Sequence, residues 1–135
     1  MDVKALDIAL LEIIKHRQEL TKLDYSNPAY DDLEEKLHDL EDDFQETFGD
    51  DLEHALQDIH DEFCPDSDVL VPIAYIAKKY QVNDKNEYSV ANTEGVFVEM
   101  DDYPGKSTKL ALLPSPPRIV LSIGGEKQDV VWTAK

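Results

Sequence analysis

Apolar residues near the start of the chain recur at spacings of three and four. Leu6, Leu10, Ile13 and Leu20 share a stripe with Arg17, and Leu11 and Ile14 widen it. That period predicts an α-helix over 3–22 with one buried face. Asp2 stands where a carboxylate can cap the helix, and Lys22 suits the negative end of its dipole. The stretch Asp24-Tyr25-Ser26-Asn27 breaks the period.

Asn27-Pro28 predicts a restart, with Asn as the cap and Pro at the first helical position. The stripe then runs Tyr30, Leu33, Leu37, Leu40, Phe44, Phe48. A short linker between two such helices predicts an antiparallel hairpin with its stripes facing inward. Gly49 is read as ending the second helix, with Asp50-Asp51-Leu52-Glu53 starting a third as a capping box. The stripe resumes at Leu52, Leu56, Ile59 and Phe63, nearly in phase, so one long helix through Gly49 is the alternative. Cys64-Pro65-Asp66-Ser67 closes the helical half.

From Val69 the pattern changes to β-branched residues punctuated by turn signals. Residues 69–77 read as a strand with Pro72 at a bulge or edge, or alternatively as a short helix from Pro72 through Lys79. Asn83-Asp84-Lys85-Asn86 is a turn. Strands are expected over 87–91 and 96–101, joined as a hairpin through Asn92-Thr93-Glu94-Gly95. Tyr103-Pro104-Gly105-Lys106 has the form of a type II turn. Further strands follow over 108–113, 118–123 and 129–134, separated by Pro114-Ser115-Pro116-Pro117 and Gly124-Gly125. Helices first and strands after describe an α+β fold: a hairpin of two or three helices over 1–66, then an antiparallel meander of five or six strands over 67–135, together one structural unit. No internal repeat interrupts this reading.

Charge changes the picture more than composition does. Between Asp31 and Asp68 lie 17 acidic residues and one basic residue, Lys36, so nearly all of the formal net charge of -17 sits on one segment. Nucleic acid and anionic membrane surfaces are excluded as partners, because both are bound through clustered Lys and Arg. No window has the roughly 20 apolar residues of a membrane span. The N-terminus lacks the form of a secretory signal, and the single Cys64 forms no intramolecular disulfide. The cytoplasm is the expected compartment.

All four histidines fall in the helical half: His16, His38, His54 and His60. Glu35 with His38 has the Glu-x-x-His spacing of carboxylate-bridged metal bundles, and Asp51 with His54 is an acidic analogue. Glu35, His38, His54 and His60 are therefore the candidate metal ligands. Among so many carboxylates, however, an acid three residues before a His is expected by chance, and bundle ligands must point inward. His60 and Cys64 share a helix face but fall short of the four ligands of structural zinc. Cys64 reads as a small buried hydrophobe. No EF-hand or phosphate loop is present, and no cofactor is expected. Tyr75, Tyr80, Tyr88, Phe97, Tyr103 and Trp132 read as core packing ahead of a binding surface.

Three functions fit these features. The first is a non-catalytic interaction module, of inhibitor, immunity or adaptor type, whose acidic face docks a basic protein. Its expected contacts are Glu41, Asp42, Asp43, Glu46, Asp50, Asp51 and Glu53. The second is a metal-dependent enzyme or metal-binding protein built on the histidines and carboxylates. The third is a small-molecule-binding β module. Only the first uses the charge asymmetry. The length of the helical stripes adds the expectation of a homodimer through the hairpin.

Overall fold

A computed structural model describes all 135 residues. Helix α1 spans Val3–Thr21, and the Asp2 carboxylate accepts the Ala5 N–H at 3.0 Å, the expected cap. Helix α2 spans Tyr30–Phe63 without interruption, 34 residues or about 51 Å at 1.5 Å per residue. The break expected at Gly49 is absent. Gly49 is buried in the helix between Phe48 and Leu52. Continuing one stripe into the core outweighs the roughly 1 kcal/mol that glycine costs a helix.

The start of α2 also differs from the expected cap. Asn27 Oδ1 accepts the Ala29 N–H at 2.9 Å, closing a turn two residues on. Ala29 thereby becomes the cap residue, with no side-chain bond, and Pro28 lies before the helix instead of in its first turn. The two helices run antiparallel. Met1 lies beside Asp51, Ala55 and Asp58, whereas Arg17 reaches back to Glu41.

Residues 69–77 form neither the expected strand nor a helix through Lys79, but a single 3-10 turn over Pro72–Tyr75. Pro72 has no N–H for a ladder, and the turn carries the Tyr75 ring into full burial. Ile76 then makes one parallel bridge to Leu112. Strands β1 (Gln81–Val82) and β2 (Tyr88–Ser89) form a small antiparallel pair across the 83–86 turn. The main sheet has the order β3-β4-β5-β6, with β3 at Val96–Val98, β4 at Thr108–Leu113, β5 at Arg118–Ile123 and β6 at Lys127–Thr133, all antiparallel.

The hairpin expected across 92–95 therefore does not form. Strand β2 folds back on β1 because Asn83 closes that turn: its Oδ1 accepts the N–H groups of Lys85 and Glu87 at 2.9 and 3.0 Å. Gly95, at φ +109°, turns the chain into β3 so close to the Leu110 carbonyl that a Cβ would collide with it. The 103–106 turn has the expected form, with Gly105 at φ +77° and the Lys106 N–H on the Tyr103 carbonyl.

Consecutive residues of β4 and β5 are buried, so both faces of the central sheet are covered. One hydrophobic cluster takes residues from both halves of the chain, from Leu6 and Phe44 to Leu121 and Ala134. Leu37, Phe44, Phe48, Leu52, Leu56 and Ile59 are all buried within it. The stripes of both helices thus pack into a core shared with the sheet. No helix is long and apolar enough to cross a membrane.

Candidate functional site

The outward side of α2 is the most distinctive surface of the molecule. Asp39, Asp42, Asp43, Glu46, Asp50 and Asp51 are exposed along it, and Asp58, Asp61 and Glu62 extend it to the helix end. They alternate with the buried stripe at helical spacing, which is why one segment can be both core-forming and acidic. None of these carboxylates has an ion-pair partner in the chain; the four salt bridges of the molecule involve Glu12, Glu41, Glu126 and Asp129. Lys36 is exposed near the beginning of the helix.

Two of the expected docking residues are placed differently. Glu41 is half-buried, and its Oε1 accepts from Arg17 Nε and Nη2 at 3.2 and 3.1 Å. Arg17 Nη1 donates on to the Ile76 carbonyl at 3.3 Å, so this pair ties both helices to the chain beyond the 3-10 turn. That role accounts for an arginine on the apolar stripe of α1. Glu53 is also half-buried, with Gln45 Nε2 at 3.5 Å. The exposed face is consequently Asp42, Asp43, Glu46, Asp50 and Asp51 with their neighbours, without Glu41.

The candidate metal ligands are not brought together. Glu35, His38 and His54 are exposed on α2, whereas His60 is buried. No group of three or more His, Cys, Asp or Glu side chains is placed to hold a metal ion. Both ring nitrogens of His60 are engaged. Nδ1 meets the Ser67 carbonyl at 2.9 Å, and Nε2 meets the Tyr75 hydroxyl at 2.9 Å. A carbonyl only accepts, so Nδ1 carries a proton, and in the neutral ring Nε2 accepts from Tyr75. The Tyr75 oxygen accepts in turn from the Leu70 N–H at 3.1 Å. His60 thus fastens the 67–75 crossover to the end of α2.

Cys64 is fully buried next to this network, and desolvation pushes its thiol up to about 11. A thiol held neutral in this way is neither a ready nucleophile nor a ligand. Tyr80 donates its hydroxyl proton to the Leu112 carbonyl and accepts from the Ala77 N–H at 2.9 Å. Burial raises both Tyr75 and Tyr80 above the ordinary phenol value. Of the aromatic residues considered for a binding surface, Tyr75 and Tyr80 are core, Tyr88, Tyr103 and Trp132 are half-buried, and Phe97 is exposed.

The two largest cavities open at the surface. One, of about 600 Å³, lies between Asp51, Ala55 and Asp58 of α2 and Trp132 of β6. The other, of about 540 Å³, lies beside β3 and the 101–107 loop. The first joins segments far apart along the sequence and could not have been drawn from it, whereas the second is lined by residues 97–107 alone. No protein-family model matches the chain, and no curated protein and no solved structure is significantly similar to it.

Proposed function

We propose that this chain is a non-catalytic protein–protein interaction module whose acidic α2 face docks a basic partner, in the manner of an inhibitor, an immunity protein or an adaptor. The observation that supports the reading is the row of exposed carboxylates on α2 without a cationic partner in the chain. An ordinary solvated helix interleaves Lys with Glu and gains from pairs one turn apart. From Leu37 to Asp68 this chain has neither Lys nor Arg. Such a face repels itself and attracts a cationic surface, which raises association rates and makes them fall steeply with salt.

The test is capture from native extract on the immobilised chain with stepwise salt elution, run beside a variant carrying Asp42→Asn, Asp43→Asn, Glu46→Gln and Asp50→Asn. The expected result is one basic protein released in a narrow salt step from the wild type and not retained by the variant. Equal retention by both forms would remove the α2 face from the function.

A further inference from the structure

We infer that the docking surface continues past the end of α2 into the groove beside β3, and that this groove takes an extended basic segment of the same partner carrying an apolar side chain. The inference rests on the reading of α2 as a docking face. Its starting point is continuity. Glu62 and Phe63, in the last turn of α2, wall a cleft of about 160 Å³ together with Asp66, Glu99 and Asp101. Glu99 and Asp101 also line the larger groove, whose apolar contacts are Phe97, Met100 and Tyr103. Face, cleft and groove are therefore one strip, assembled from residues more than 30 positions apart.

The chemistry along the strip specifies its occupant. The cleft carboxylates have no ion-pair partner in the chain. The last carbonyls of α2 add the negative end of its dipole. Lys106 lines the groove, but its ammonium is bonded to Glu126. An anion would meet only repulsion in the cleft, whereas Lys or Arg side chains would find unpaired acceptors. The groove supplies what the α2 face lacks, an apolar contact. Phe97 is 56% exposed on the edge strand β3. Tyr103 already carries Lys127 over its ring, 5.8 Å from the centroid, so Phe97 is the open anchor. An aromatic anchor inside a charged rim is the arrangement in which interface energy concentrates.

The test uses the isotope-labelled full chain and two short peptides of equal length, one of arginine alone and one of alternating arginine and leucine. Amide shifts are followed by NMR at low salt, about 50 mM, where screening is weak. Both peptides are expected to shift amides along α2 and at the cleft residues Glu99 and Asp101, and only the mixed peptide those of Phe97 and Tyr103. Phe97→Ala should weaken the mixed peptide about tenfold and leave the arginine peptide unchanged. The variant's own spectrum checks that β3 is intact. Shifts on α2 with none in the groove, or equal affinity of the Phe97 variant, would overturn the groove and leave the α2 reading standing. No shifts on α2 with either peptide would overturn both.

Discussion

Glu41 and Asp42 are adjacent in the chain and meet opposite environments. Glu41 holds Arg17 between the helices, while Asp42 faces water with no partner. Glu41→Gln leaves a half-buried guanidinium without its countercharge and is expected to cost about 1–2 kcal/mol. Asp42→Asn should stay within about 0.5 kcal/mol. Urea unfolding of the two variants decides it, and equal losses would refute the separate roles. Cys64 makes a second residue-scale prediction. Burial raises its thiol from the ordinary 9.0 to about 11, so the folded state favours the protonated form. Its contribution to stability is complete below pH 9 and lost as pH rises towards 11. Thermal midpoints should fall over that interval, and less so in Cys64→Ala. Tyr75 and Tyr80, also raised by burial, add an alkaline decline that both proteins share.

At the scale of elements, the unbroken α2 carries a glycine that its fold does not require. Gly49 has helical backbone, and a Cβ there would meet only the flexible end of Gln45. Gly49→Ala should therefore stabilise the chain by about 0.5–1 kcal/mol, read from its unfolding midpoint. A loss would mean that Gln45 cannot move aside. The same helix shows what periodicity can and cannot reveal. Both helices follow from the spacing of their buried residues, and β4 and β5 from apolar runs set between turn signals. The pairing of β2 with β1 was hidden, since it turns on which of two neighbouring turns, at Asn83 or at Asn92, joins paired strands. The 3-10 turn was hidden as well, because its cause is a partner for Tyr75 that lies on α2. Of the proposed docking residues, the exposure of Asp42, Asp43, Glu46, Asp50 and Asp51 could be read from helical phase. The inward turn of Glu41 could not, since it depends on Arg17 from the other helix, and the cleft joining Glu62 to Glu99 exists only after folding.

At the scale of the whole molecule, the acidic charge gathered on α2 acts against folding. Like charges on one helix repel, and unfolding separates them. Added salt screens that repulsion over the distance between neighbouring turns, with a Debye length near 10 Å at about 0.1 M. The thermal midpoint should therefore rise as sodium chloride goes from about 0.02 M to about 0.5 M. The variant neutralised at Asp42, Asp43, Glu46 and Asp50 should start higher and rise less, because it carries less of the repulsion. A midpoint that falls with salt would mean that attractive pairs dominate, contrary to a face on which no carboxylate is paired. The two measurements on this variant bear on each other. If neutralisation makes the chain more stable and also abolishes capture of the basic protein, the carboxylates are retained at a cost to folding. That combination separates a docking face from a merely solvated one, since a surface needed only for solvation would show the gain in stability with no accompanying loss of binding.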